Sequence, residues 1–221
     1  MKKTVFYTEF AYGLGLILLA LGTALMALGG FGISMVTAPA YVLYLKISQL
    51  LPGFSFGTAE YLTQALVILG LILILRRASA RYFLSFLTAV LFGILLDIAT
   101  ALTGFLPQFG SFGNIALYIV GFLLCACAIS LILRSYLPPA AYELFVKELA
   151  AVKRIPFPTL KTVYDCCSLA VAVVLSLLFF GSLAGIGIGT VLGALLNGVT
   201  IRFFTALFDK FFVFHDLKRR T

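Results

Sequence analysis

The stretch Ala38-Pro-Ala-Tyr-Val-Leu-Tyr-Leu-Lys46 returns about 100 residues later as Pro139-Ala-Ala-Tyr-Glu-Leu-Phe-Val-Lys147, with Tyr41 on Tyr142, Leu43 on Leu144 and Lys46 on Lys147. Two further blocks follow in the same order. Phe56-Gly-Thr58 meets Phe157-Pro-Thr159, and Leu91-Phe-Gly-Ile-Leu-Leu-Asp-Ile-Ala-Thr100 meets Val191-Leu-Gly-Ala-Leu-Leu-Asn-Gly-Val-Thr200. Self-similarity at one spacing marks a duplicated unit. Repeat 1 covers about residues 10–104 and repeat 2 about residues 112–208.

Between these blocks lie apolar runs long enough to cross about 30 Å of hydrocarbon. There are six: Phe10 to Gly29, Gly57 to Leu75, Tyr82 to Leu102, Ile115 to Leu133, Leu160 to Phe180, and Ser182 to Ile201. They are read as helices, because lipid-facing backbone must be bonded internally and the alternation of a barrel strand is absent. Composition agrees. Of 221 residues 62% are hydrophobic and 11% charged, against about half and about a quarter in soluble domains. Disorder, nucleic-acid binding and a disulfide-stapled secreted module are excluded, so the partner is the lipid bilayer.

Each repeat therefore holds one span, a short segment opened by Pro39 or by Pro138-Pro139, and two more spans. An odd number of spans forces the second repeat to enter from the opposite side. The expected architecture is all-α and polytopic, a single membrane domain over residues 1–221 built of two inverted three-helix repeats. Charge orients it. With the N-terminus cytoplasmic, every Lys and Arg except Lys46 falls on the inner side, as the positive-inside rule requires. Residues 209–221 read as a basic cytoplasmic tail, and Lys2 and Lys3 precede an uncleaved first helix. The proline-led segments, residues 38–50 and 139–152, can lie flat in the interface or dip inward as re-entrant half-helices whose N-termini attract anions.

Polar groups inside the spans are the candidate functional residues, since an ionised side chain there costs a few kcal/mol. Glu60, Gln64 and Asp97 are expected in the outer half, with Lys46 near, and Lys161, Asp165 and Asn197 in the inner half. The repeats set Gln64 against Asp165, Asp97 against Asn197 and Glu60 against Lys161. Asp97 is the strongest candidate for solute contact or a proton relay, because no partner lies near it in the chain. Glu60 can also be an interfacial anchor, and Lys161 with Asp165 an i,i+4 ion pair.

A stripe of small residues at every fourth position marks the third span (Ser85, Ala89, Gly93) and the sixth (Gly181, Gly185, Gly189, Gly193). Small residues on one face let helices approach closely in lipid. The expectation is a tight crossing of these two spans, and such faces also suit a homodimer. Cys125, Cys127, Cys166 and Cys167 fit apolar packing, or a disulfide between spans. With the single His215 in the tail they assemble no metal site. No cofactor is called for.

The stretches Gly32-Ile-Ser-Met-Val-Thr-Ala-Pro-Ala-Tyr-Val-Leu43 and Phe54-Ser-Phe-Gly-Thr58, with Lys161-Thr-Val-Tyr-Asp165 and Gly187-Ile-Gly-Thr-Val-Leu-Gly-Ala-Leu-Leu-Asn-Gly198, resemble the bacterial YczE/YyaS/YitT-like membrane proteins. The resemblance spans about residues 10–205. It implies a multi-pass protein of the bacterial inner membrane, presumed a transporter, and carries no catalytic assignment; Glu60 departs from the usual uncharged residue and Gln64 from the usual Asn. An enzyme is not expected, since neither His-Glu-x-x-His nor an intramembrane histidine is present. The expected function is a small transporter moving an unidentified polar or charged solute by alternating access. A substrate-capture subunit of a multi-component uptake system and a non-transporting assembly or regulatory protein are the alternatives.

Overall fold

The computed structural model describes residues 4–107 and 109–215. The elements run β1 (Thr4–Tyr7), α1 (Thr8–Gly29), α2 (Ala38–Ile47), α3 (Phe56–Leu75), α4 (Ala80–Thr103), α5 (Ser111–Ile132), α6 (Ala141–Lys153), α7 (Phe157–Phe180), α8 (Ile188–Phe211) and β2 (Phe212–His215). Six of the helices are long and apolar enough to cross a membrane: α1, α3, α4, α5, α7 and α8. This is a multi-pass membrane protein. Lys2, Lys3, Lys218, Arg219 and Arg220 lie outside the described residues.

The centre of the bundle is the antiparallel pair α1 and α5, which packs through small residues seven apart. A Cβ on Gly15 would meet Ile132 Cγ1 at 2.7 Å, one on Gly22 would meet Gly121 O at 2.7 Å, and one on Gly29 would meet Asn114 O at 2.9 Å. The reverse holds at Gly121, where a Cβ would lie 2.6 Å from Gly22 O. The seven-residue period is that of a left-handed crossing. Here it brings the two backbones together without intervening side chains, which is how helices gain dispersion energy in lipid. Cys125 is buried in this seam, and all four cysteines are free.

Around the central pair, α4 packs on α1 and α8 on α5. The short helices α2 and α6 each pack on both α3 and α7, and α3 packs along α4. The matching pair α7 and α8 barely touch. Beyond Gly189 and Thr190 in its first turn, no residue of α8 is fully buried. The expected sixth span begins later than its hydropathy suggests. Residues 182–187 are not helical, because Gly181 (φ 65°) caps α7 in the left-handed region and Gly185 (φ 74°) repeats that conformation. A β-carbon would make both costly.

At the end carrying both chain termini, β1 and β2 pair in parallel with Thr4 opposite Phe212 and Tyr7 opposite His215. Part of the expected basic tail is thus the end of α8 and a strand. A two-stranded sheet alone is marginal in water, and this one is held by side chains. Phe6 packs on Phe10, Phe212 and Phe214, while Arg134 lies 4.8 Å above the Phe214 ring and bonds Asp209 at 2.6 Å. Arg134 also donates to the carbonyls of Ser130 and Thr205, so it joins the end of α5 to the end of α8. Arg134→Met is expected to raise amide exchange at least tenfold over residues 205–215 while leaving α1 and α5 protected. Unchanged exchange in that segment would show the clamp to be idle.

Candidate functional site

The chain between α5 and α6 is half-buried against the bundle where it approaches α6, and several of its backbone groups are paired there. Pro138 O accepts from the Tyr12 hydroxyl (3.0 Å), Pro139 O from the Ser85 hydroxyl (2.7 Å), and Ala140 O from Leu144 N (3.0 Å). Ala141 N donates to Gln64 Oε1 (3.0 Å). Proline suits this path because it brings no N–H needing a partner. Gln64 is the ninth residue of α3, about 12 Å from the helix start and about 17 Å from its end at 1.5 Å per residue. The N-terminus of α6 therefore sits near the middle of the α3 span. From there α6 runs to the end bearing the termini, where Glu148 bonds Arg77 (2.8 Å) and Tyr82 (3.3 Å).

Around that N-terminus a polar cluster joins α3, α6 and α7. Glu60 and Gln64 are fully buried, and Gln64 Nε2 donates to Glu60 Oε1 (3.3 Å). Glu60 is thus an interior group and not an interfacial anchor. Beside it lies the Tyr142 hydroxyl, also buried. The two side chains are neighbours, and neither that hydroxyl nor Glu60 Oε2 has a partner in hydrogen-bonding geometry among the described residues. The Tyr142 ring adjoins Tyr164 (6.3 Å between centroids), which adjoins Phe145 (5.4 Å). Lys161 completes the cluster. Its Nζ is 2.8 Å from Asp165, 3.8 Å from Glu143 and 5.7 Å from the centre of the Tyr164 ring.

Four of the six expected candidates, Glu60, Gln64, Lys161 and Asp165, thus belong to one cluster and not to two halves. The i,i+4 pair of Lys161 and Asp165 forms as its spacing suggests. Asp97 stands apart, and its partner comes from another helix. Its two oxygens accept from Ser55 Oγ (2.6 Å) and Gly57 N (2.7 Å), so it caps the start of α3 from α4. A carboxylate at a helix N-terminus meets unpaired N–H groups and the positive end of the dipole. This bond requires Gly57, where a Cβ would collide with Gly93 O and lie 2.7 Å from the Asp97 carboxyl. In the second half Pro158 stands where Gly57 does, and it has no amide hydrogen to offer Asn197. Asn197 is half-buried on α8 and makes no side-chain hydrogen bond among the described residues.

The two small-residue stripes do not cross each other. Gly93 meets α3 at Gly57, Ala89 is buried, and Ser85 holds Pro139. Gly189 and Gly193 face Tyr118 of α5, whose hydroxyl donates to Gly189 O, and Gly189 N donates to Phe31 O (2.9 Å). Gly181 and Gly185 are in the loop before α8, the latter against the Tyr41 ring. The spacing names a face but not its neighbour. Tyr12, Tyr142 and Glu143, absent from the sequence-based candidates, are the residues that complete the site. The Pro138-Pro139 pair is the sequence feature that marks the half-buried turn there.

The chain belongs to a family of unknown function, DUF6198, whose model covers residues 6–206. No curated protein and no solved structure matches it.

Proposed function

We propose that the protein is a small transporter of two inverted three-span halves that moves a small polar or charged solute by alternating access. The observation that carries this reading is the N-terminus of α6 on Gln64, beside the buried Glu60 and close to the middle of a span. Non-helical backbone at such depth is typical of sites built from broken or half-length helices between repeats.

The packing supports the inverted repeat. Exchanging α1 with α5, α2 with α6, α3 with α7 and α4 with α8 turns the α1–α4 contact into α5–α8, α2–α7 into α6–α3, and α2–α3 into α6–α7. The α1–α5 seam maps on itself, which puts the axis at the Gly22–Gly121 crossing. On this reading α6, and α2 by symmetry, are re-entrant half-helices. Arg76, Arg77, Arg81, Arg134, Lys153 and Arg154 gather at the end with the termini, so that end is cytoplasmic by the positive-inside rule, in a bacterial inner membrane. The likeness to the YczE/YyaS/YitT-like proteins belongs to the same reading and rests on the quoted residues alone.

A thermal-shift panel of amines, carboxylates, amino acids and vitamins on the detergent-purified protein tests it. A solute at a hundred times its Kd should stabilise the fold by about 2.7 kcal/mol. The expected result is a hit that disappears in Asp165→Asn and persists in Asn197→Ala. A panel with no hit would overturn the reading. One observation favours a second reading, a subunit of a larger membrane complex: no residue of α8 past its first turn is fully buried. A partner cross-linked through Leu195→Cys would support that alternative.

A further inference from the structure

The cluster between α3, α6 and α7 holds three carboxyl groups and one cation. Lys161 is shared by Asp165 and Glu143, at 2.8 and 3.8 Å. That leaves Glu60 without a positive partner among the described residues. Its neighbours are Gln64 from its own helix, Tyr142 and Glu143 from α6, and Tyr164 from α7, which also carries the Lys161–Asp165 pair. From α4, which packs on the other side of α3, Asp97 bonds only the first turn and Tyr82 bonds Glu148. From α2, Tyr41 and Tyr44 pack on Phe56, and Lys46 lies over the Phe180 ring.

An ionised carboxylate with no cation, away from water, is among the costliest arrangements a protein can hold. A proton removes that cost and needs no cavity. Oε2 of Glu60 and the hydroxyl of the neighbouring Tyr142 are both enclosed without a hydrogen-bond partner among the described residues. One bond between them pairs both atoms, with either the tyrosine hydroxyl or the acid as donor; full burial of Glu60 without a cation is what favours the acid.

We propose that Glu60 is an exchangeable proton-binding site, with Tyr142 as its hydrogen-bond partner in the closed bundle. Opening the cluster to water lets the carboxylic acid give its proton to solvent and become a carboxylate; closing returns one. The repeat carries Lys161 at the matching place, so only one half titrates in this way. The inference rests on the transport reading, in which the cluster opens in each cycle. That reading is tested by the solute panel, whereas the measurement below reports the acid itself.

Infrared difference spectroscopy of the protein in nanodiscs at pH 7 detects a protonated carboxyl directly. The expected result is a carboxylic C=O band that vanishes in the isosteric variant Glu60→Gln, persists in Asp97→Asn, and shifts within minutes of transfer to D2O. Tyr142→Phe should move the band to higher frequency without removing it, since the acid loses its hydrogen-bond partner. This second variant also covers poor folding of the first. Absence of the band in wild type, a band retained in Glu60→Gln, or a band unmoved by D2O would each overturn the proposal. The last would mark a trapped structural proton, and absence with a sodium-dependent carboxylate band would mark a metal-cation site.

Discussion

Leucine at Gly22 or at Gly121 is expected to leave no folded protein in detergent. The two glycines face each other where α1 and α5 come closest, and each blocks a Cβ on the other through a backbone carbonyl at 2.6 to 2.7 Å. A flexible side chain can swing away from such an intrusion; a carbonyl can move only with its helix. Overpacking in a core costs about 1 to 3 kcal/mol when neighbours can adjust. Here the adjustment would separate the central pair along the whole seam, so a loss above about 3 kcal/mol is expected, a large share of the roughly 5 to 15 kcal/mol that holds a typical domain. Gly13 and Gly70 have nothing within 4 Å of a built Cβ, so Gly13→Leu and Gly70→Leu are the controls and should melt like wild type. Equal melting of all four variants would refute the seam.

Asp97→Ala is expected to destabilise the protein by about 3 kcal/mol. Two hydrogen bonds to a charged group are lost, and the Gly57 amide is left unpaired. Asp97→Asn keeps one acceptor and should cost about 1 kcal/mol, while Asn197→Ala, at the matching place in the second half, should stay within about 0.5 kcal/mol. Thermal melts of the three variants check this order. Equal losses at 97 and 197 would mean that α7 and α8 pack as α3 and α4 do. A wild-type melt for Asp97→Ala would return Asp97 to the list of solute contacts.

Much of this fold is written in the sequence at the level of hydropathy. Five of the six apolar runs match helices within a few residues, because a stretch that must face lipid declares its length. The sixth run does not, since hydropathy is blind to the backbone freedom of Gly181 and Gly185. Neighbours are less legible than elements. The fourfold spacing of Ser85, Ala89 and Gly93 announces a close approach and leaves the partner open, whereas the sevenfold spacing of Gly15, Gly22 and Gly29, which marks the central seam, is equally plain once sought. Asp97 looks isolated because its partners, Ser55 and Gly57, are about 40 residues away. The repeat alignment matches Glu60 with Lys161 but cannot tell that α6 brings Tyr142 and Glu143 between them. That takes the depth of the Pro138-Pro139 turn, which chain length and charge do not encode.

In the proposed transport cycle the N-terminus of α6 becomes open to water from each side of the membrane in turn. A single cysteine at Ala141→Cys, in a chain whose four native cysteines are replaced, tests it with a membrane-impermeant maleimide applied to either face of oriented vesicles. Ala141 is fully buried in the closed bundle, so labelling reports opening. The account predicts slow labelling from both faces, with a solute identified by the panel changing the two rates in opposite directions. Labelling from one face only, or from neither under any condition, would contradict it and leave the cluster a structural one.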